Sequence, residues 1–160
     1  MVLFRPCMIT ISDALLPEHV VLALPPTTPE AAIDRMAAVL KTHPNVEDWE
    51  TFRSVLKAHP ACLISRDEFG LCIPHARTEG VTEIVMSAGR FTTPLVFPNC
   101  EKPVRYVFCI GVPQAMAADY LRITGALMRV LSDPATEEAL RAATTRVEFV
   151  EALSGLETRL

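Results

Sequence analysis

The sequence predicts an α/β fold in which helices cover both faces of a mixed β-sheet. Three apolar stretches of strand length, rich in β-branched residues, lie at Leu71–Ile73, Glu83–Gly89 and Val104–Val112. Segments with apolar residues at helical spacing precede and follow them. Of the 160 residues, 50% are hydrophobic and 21% are charged, so the chain can form one domain with its own core.

The first part of the chain is predicted to form one strand and two helices. Val20–Leu24 is a short apolar run that two prolines end, which is typical of a buried strand. Thr28 is then expected to cap a helix that has Pro29 at its first position and ends near His43. A second helix, with one apolar face, is expected over Glu47–Ala58.

The last part of the chain is predicted to form three helices. A long helix is expected over Ala115–Leu131, and a shorter one over 134–143 with Pro134 in its first turn. The segment Thr145–Glu148 is a capping box for the last helix, which Gly155 is predicted to end. There is no internal repeat or low-complexity tract. We therefore expect a single domain with a lead-in at 1–27 and a core at 28–155.

Charge and hydropathy restrict the classes of function. The net charge of −4 and the pI near 5.6 argue against nucleic acid as the main partner. No apolar run reaches the roughly 18 residues of a membrane-spanning helix, and the N-terminus lacks the layout of a signal peptide. We expect a cytoplasmic protein with no direct membrane insertion.

The five cysteines are predicted to be reduced and structural. They include no C-x-x-C pair, and their neighbours are mostly apolar, which favours buried thiols over a metal site or disulfides. Cys72 and Cys109 lie in apolar strand-like runs and should be poorly accessible, whereas Cys100 should react most readily. His43 and His59 have no ligand at suitable spacing, so no metal site is expected.

The most informative motif is the tetrapeptide Ile73-Pro74-His75-Ala76. Proline fixes its own φ and favours an extended conformation in the residue before it. The imidazole of His75 is therefore presented from a stiff backbone, which a repeatedly reacting histidine requires. The alternative is an ordinary structural histidine, as expected for most histidines in a chain of this length.

The surroundings of this motif resemble enzyme IIA of the phosphoenolpyruvate-dependent phosphotransferase system, in its fructose/mannitol/nitrogen-regulatory class. That family carries a Gly-apolar-Ala-apolar-Pro-His-Ala/Gly-Arg motif, and Gly70–Arg77 here is GLCIPHAR. The segments Val81–Arg90, Thr93–Phe97 and Pro103–Pro113 resemble the family segments that follow. The resemblance extends over about 28–153 and implies the same α/β architecture.

The resemblance implies that His75 carries a phosphoryl group, with no cofactor and no metal. Imidazole is a nucleophile at neutral pH and can form a covalent intermediate. The family usually has a second histidine where this chain has Tyr120. Ser65, Arg77 and Tyr120 are the predicted donors to the phosphoryl oxygens. The alternatives are a capping hydroxyl for Ser65, a solvated side chain for Arg77 and core filling for Tyr120.

Three functions are compatible with these residues. The first is a phosphoryl carrier that receives phosphate from an HPr-like phosphocarrier protein and passes it to an enzyme IIB. The second is a regulatory protein whose phosphorylation on His75 alters binding to a target protein. The third is an interaction module that keeps the fold but no longer transfers phosphate, because Tyr120 replaces the second histidine.

Overall fold

A computed structural model describes residues 9–58, 62–64, 70–98 and 100–159. In this part of the chain the helices are α1 (Ile11–Ala14), α2 (Pro29–Val39), α3 (Trp49–Ala58), α4 (Ala117–Leu131), α5 (Pro134–Ala142) and α6 (Arg146–Arg159). The strands are β1 (Val20–Leu24), β2 (Cys62–Ile64), β3 (Gly70–Cys72), β4 (His75–Arg77), β5 (Val85–Leu95) and β6 (Val104–Val112). Short 3₁₀ turns lie at Pro17–His19 and Gln114–Met116.

The strands form one mixed sheet in the order β1-β5-β6-β3-β2. β1 is parallel to β5, and β3 is parallel to β6, whereas β5–β6 and β2–β3 are antiparallel. The short strand β4 is also parallel to β6 and continues, after Ile73 and Pro74, along the side of β6 that β3 occupies. The predicted mixed sheet is confirmed.

Alternate residues of β6 enter two separate apolar cores. Phe108 and Ile110 belong to one core, whereas Val107 and Cys109 belong to the other, because successive strand residues point to opposite faces. The first core also contains buried residues of α1, α4, α5 and α6, and the second contains buried residues of α2 and α3. Helices therefore cover both faces of the sheet, as predicted.

The helices α2 and α6 begin at the capping residues that the sequence predicts. The Thr28 hydroxyl accepts a hydrogen bond from the backbone N–H of Ala31 at 3.2 Å, with Pro29 at the first helical position. The Thr145 hydroxyl accepts from the Glu148 N–H at 3.1 Å. The Glu148 carboxylate in turn accepts from the Thr145 N–H at 3.0 Å, which completes the capping box.

Several predicted boundaries differ from the structure. α6 continues through Gly155 to Arg159, so the predicted helix end at this glycine is wrong. β5 runs over Val85–Leu95, beyond the predicted end at Gly89. The strand β4, which carries His75, was not predicted at all. These errors share a cause, since each boundary depends on contacts that are distant in sequence.

The described residues before Thr28, from Ile9 onward, pack into the fold. Ile11 and Leu15 are fully buried in the core that also contains α4 and α6. β1 forms an edge of the sheet and pairs with β5. The segment expected to be a lead-in thus contributes to the core over its described residues.

The burial of Cys72, Cys100 and Cys109 agrees with the prediction, whereas Cys7 and the side chain of Cys62 lie outside the described part of the structure. Cys72 and Cys109 are completely buried, and Cys100 is partly exposed. Burial raises the pKa of the Cys109 thiol to about 12, although a hydrogen bond with Ser87 acts in the opposite direction. At neutral pH the Cys109 thiol therefore stays protonated and unreactive.

Candidate active site

His75 is the first residue of β4, and hydrogen bonds to β6 fix the backbone on both sides of it. The Pro74 carbonyl accepts a hydrogen bond from the Ile110 N–H at 2.9 Å. After the strand, the Thr78 N–H donates to the Val112 carbonyl, also at 2.9 Å. Pro74 itself is buried. The histidine is therefore presented from a rigid segment, as the Pro-His pair predicts.

The imidazole of His75 is oriented by the backbone immediately before it. Its Nδ1 lies 3.2 Å from the Ile73 carbonyl oxygen, and the ring is half-buried. Since a carbonyl oxygen can only accept, a hydrogen bond here requires a proton on Nδ1. In the neutral imidazole with its proton on Nδ1, the lone pair is on Nε2.

Tyr120 lies directly against this imidazole. The two ring centroids are 4.8 Å apart, and the ring planes are tilted by 32°. Tyr120 is in the first turns of α4, half-buried against the core that contains Phe108 and Ile110. Burial raises the pKa of its phenol, so the hydroxyl is neutral across the physiological range. The structure thus brings together the two residues that the sequence places at the site.

Arg77 is on the same side of β4 as His75, because residues two apart in a strand face the same way. Its side chain is exposed, whereas the intervening Ala76 is buried in the opposite core. A guanidinium at this position can reach solvent-exposed groups in front of the site. Ser65, the remaining predicted donor, lies outside the described residues.

The surface of α4 next to the site presents an exposed apolar side chain and a carboxylate that pairs with an arginine. Leu121, the residue after Tyr120, is 67% exposed, which is high for a leucine. Asp119 forms an ion pair with Arg122, with an Nη1–Oδ1 distance of 3.6 Å. This pairing reduces the repulsion that Asp119 would exert on an anion at His75.

The other described histidines have a different environment. His19 and His43 are both more than nine-tenths buried, and their ring centroids are 5.0 Å apart. Burial lowers the pKa of both, and the proximity of His19 lowers that of His43 further. His59 lies outside the described residues.

The sequence could not identify the Ile73 carbonyl as part of the site. This group orients the imidazole of His75, but every residue type has a backbone carbonyl, so no sequence signal marks it.

Among the described residues there is no cluster of three side chains suitable for a metal ion. No helix in the described part of the chain is long and apolar enough to cross a membrane.

The structure is that of an α/β domain with a histidine at the start of a short strand of a mixed sheet. A family model described as "Phosphoenolpyruvate-dependent sugar phosphotransferase system, EIIA 2" matches residues 14–155. The chain therefore belongs to this enzyme IIA family, and the resemblance drawn from Gly70–Arg77 is confirmed.

Two characterised relatives come from different branches of this family. The "PTS system fructose-specific EIIA component" of Haloferax volcanii is 28% identical over 138 residues, which cover 86% of this chain and 90% of the relative. The "Nitrogen regulatory protein" of Bradyrhizobium diazoefficiens is 25% identical over 133 residues, which cover 82% and 86%. The chain is thus similar to a sugar-transport component and to a regulatory protein.

Solved structures support the fold. The nitrogen regulatory protein IIA-Ntr from Neisseria meningitidis matches with a TM-score of 0.74 at 21% identity, covering 89% of this chain and 98% of that one. The mannitol enzyme IIA of Escherichia coli, solved in complex with phosphorylated enzyme IIB, matches with a TM-score of 0.66 at 20% identity, covering 86% and 95%. At these identities the comparison concerns the fold alone.

Proposed function

We propose that this protein is a phosphoryl carrier that is phosphorylated on Nε2 of His75. The observation that carries the proposal is the contact between His75 Nδ1 and the Ile73 carbonyl. It leaves Nε2 as the nitrogen with a lone pair, inside the Pro-His motif of a family defined by phosphoryl transfer. The donor is an HPr-like phosphocarrier protein, and the acceptor is an enzyme IIB or a regulatory target.

The transfer exchanges one P–N bond for another. The Nε2 lone pair of His75 attacks the phosphorus of the donor phosphohistidine, and the bond to the donor nitrogen breaks with its electron pair. Positive charge develops on the His75 ring, and the Ile73 carbonyl stabilises the Nδ1–H that carries it. In the onward transfer, a nucleophilic side chain of the acceptor, a His nitrogen or a Cys sulfur, attacks the phosphorus, and the P–Nε2 bond breaks with its electron pair, which restores the neutral imidazole of His75. The reaction depends on positioning and charge stabilisation, so no metal or cofactor is part of the proposal.

Three side chains are proposed to hold the phosphoryl oxygens. The Tyr120 phenol is next to the imidazole and can donate one hydrogen bond. The Arg77 guanidinium, on the same side of β4, supplies the positive charge that a neutral tyrosine cannot. The Ser65 hydroxyl is the third proposed donor. Tyr120 replaces a residue that could become a cation, so we propose that transfer is slower than in relatives with two histidines.

The relatives support two acceptors for the phosphoryl group. A solved mannitol enzyme IIA forms a complex with its phosphorylated enzyme IIB, which supports an enzyme IIB partner. The similarity to a nitrogen regulatory protein supports a target protein that responds to the phosphorylation state of His75. The proposal places both exchanges in the cytoplasm. The specific observation in favour of regulation is Tyr120, since a regulatory protein tolerates slow transfer.

The test is incubation with phosphoenolpyruvate, enzyme I and HPr, followed by intact mass measurement and peptide mapping. We expect a mass gain of one phosphoryl group on His75, and no gain in His75→Gln. His43→Gln is the control, and phosphorylation should persist there because His43 is remote from the motif. A protein that gains no phosphoryl group would instead be the interaction module that keeps only the fold.

A further inference from the structure

The strand pair β2–β3 places two cysteines opposite one another. The antiparallel register pairs Cys62 with Cys72, Leu63 with Leu71 and Ile64 with Gly70. Directly opposed residues of such a pair have Cα atoms about 4.5–5.5 Å apart. A disulfide requires a Cα separation of about 4.4–6.8 Å. The backbone spacing at Cys62 and Cys72 therefore suits a disulfide without a change of register.

We propose that Cys62 and Cys72 form a reversible intramolecular disulfide when the protein meets an oxidising thiol pool. The prediction that the cysteines are reduced describes the resting protein, and the disulfide is a second, oxidised state. Disulfides of this kind in intracellular proteins are usually transient and redox-sensing. This inference does not depend on phosphorylation of His75.

The strand register also decides which cysteine pairs with Cys72. On its other side, β3 pairs with β6, where Cys72 is opposite Val107. Cys109 lies two residues further along β6, which is about 6.6 Å of strand in addition to the spacing of about 4.8 Å between strands. That diagonal exceeds the separation a disulfide allows. Cys62 is thus the partner that the backbone selects.

The oxidation proceeds by two thiol–disulfide exchanges with a low-molecular-weight disulfide such as glutathione disulfide. The Cys62 thiolate attacks one sulfur and displaces a glutathione thiolate, which leaves a mixed disulfide. The Cys72 thiolate then attacks the Cys62 sulfur and displaces the second glutathione. Two protein thiols lose two protons and two electrons, and one glutathione disulfide becomes two glutathiones. Cys72 is completely buried, so its thiolate is assigned the second, intramolecular attack.

The disulfide would lie next to the group that orients the active-site ring. Cys72 precedes Ile73, whose carbonyl contacts His75 Nδ1. A covalent link at Cys72 constrains the peptide between these two residues, and therefore the geometry of that contact. We infer that the His75 imidazole responds to the redox state of the pair, whereas the rings of His19 and His43, which lie outside this segment, do not.

The site can be mapped because trypsin separates the two cysteines. Cleavage after Lys57, Arg66 and Arg77 releases Cys62 and Cys72 in the peptides 58–66 and 67–77. After equilibration of the native protein with glutathione disulfide, we expect the loss of two hydrogens and a covalent link between these peptides. Reduced glutathione should reverse both changes.

Matched variants make the result decisive. Cys62→Ser and, as a second version, Cys62→Ala should abolish the link, whereas Cys100→Ser should retain it at the parental level. A link from Cys72 to Cys109, a link that persists without Cys62, or mixed disulfides alone in the folded parent would overturn the proposal. Circular dichroism of each variant establishes that it is folded.

The coupling to His75 has its own measurement. Imidazole ¹H–¹⁵N spectra of the reduced and oxidised protein should show a shift of the His75 resonances and unchanged His19 and His43 resonances. In Cys62→Ser the same oxidant should leave His75 unchanged. Identical His75 spectra in the reduced and disulfide forms would overturn the coupling.

Discussion

Two pairs of aromatic rings in this protein share almost the same geometry. The His75–Tyr120 centroids are 4.8 Å apart with a tilt of 32°, and the His19–His43 centroids are 5.0 Å apart with a tilt of 35°. The first pair is half-buried at the end of a strand, whereas both members of the second are more than nine-tenths buried. The rings are therefore in contact in both pairs, and the pairs differ in how far the surrounding protein buries them.

The difference shows what a reactive imidazole requires. His75 has one nitrogen held by a backbone carbonyl, which leaves the other nitrogen for chemistry. His19 Nδ1 is buried and finds no hydrogen-bond partner in the described part of the chain. His43 Nδ1 accepts a hydrogen bond from the Asn45 N–H at 3.0 Å, so this nitrogen is already occupied by a local backbone contact. A half-buried ring oriented by a backbone carbonyl, rather than ring packing, distinguishes His75 from His19 and His43.

The largest expected effect comes from removing the ring of His75. His75→Gln should abolish phosphorylation by phosphorylated HPr, because no other residue at the site has a nucleophilic nitrogen on a stiff backbone. The unfolding free energy should change by no more than about 1 kcal/mol, since the ring is outside the core. Equal phosphorylation of parent and variant in the intact mass assay would refute the role of His75.

Tyr120→Phe is expected to have the next largest effect. It removes only the hydroxyl and keeps the ring that packs on His75, so stability should be nearly unchanged. Loss of one charge-assisted hydrogen bond costs about 1.5–3 kcal/mol, or about 10- to 150-fold in the rate of phosphoryl transfer. Stopped-flow or quench kinetics with phosphorylated HPr measure this. Tyr120→His should raise the rate, and a Tyr120→Phe rate equal to the parent would identify the ring as filler.

The buried histidine pair should make stability depend on pH below neutrality. Burial lowers the folded-state pKa of His19 and His43 below 6.5. Above pH 6.5 the two rings are therefore neutral in both the folded and the unfolded chain, and they make no pH-dependent contribution to the free energy of unfolding. As the pH falls through 6.5, the unfolded chain binds protons that the folded one does not. The free energy of unfolding then decreases, by up to about 1.4 kcal/mol for each unit of pKa difference.

His19→Leu tests this assignment. It replaces a buried ring that has an unpartnered nitrogen with an apolar side chain, so the loss of stability between pH 7.5 and pH 5 should shrink. Urea unfolding at both pH values measures the change, and His75→Gln is the control that should keep the parental dependence. An unaltered pH dependence in His19→Leu would assign the acid sensitivity to other groups.

The smallest expected effect is that of Arg77→Gln. An exposed guanidinium contributes about 0.2–1 kcal/mol to an ionic contact, so phosphoryl transfer should slow about fivefold or less. Arg146→Gln is a matched control, since Arg146 is also exposed but lies at the start of α6. The effect of Arg77→Gln should diminish with added salt. Equal effects of the two variants would indicate a general charge effect rather than a specific contact.

The elements that the sequence predicts correctly are those with signals inside the element. β1 has the predicted bounds, Val20–Leu24, because prolines end an apolar run. α2 and α6 begin where capping residues lie. Gly155 misled the prediction because a glycine within a helix costs only about 1 kcal/mol. Leu153, two residues earlier, is fully buried in the core, and this tertiary packing holds this part of α6 in place.

The site was predictable in part for a similar reason. His75 and Tyr120 stand in a recognisable order of segments, and the structure places their rings in contact. The strand β4 was not predictable, because a strand of three residues shows no periodicity of its own and forms by pairing with β6. The contact of the Ile73 carbonyl with His75 was not predictable either, because every residue type has a backbone carbonyl. Local signals thus identified the reactive residue, and long-range pairing determined its orientation.

The arrangement of strands around β6 has a consequence for local unfolding. One side of β6 pairs with β5 along most of its length, whereas the other side is shared by β3 and β4, with Ile73 and Pro74 between them. Since β4 pairs with β6 alone among the described strands, it can separate while the β5–β6 ladder stays closed. The Thr78 amide, bonded to Val112, should therefore exchange its hydrogen faster than amides between β5 and β6. We therefore expect the segment that carries His75 to open locally without unfolding of the rest of the sheet.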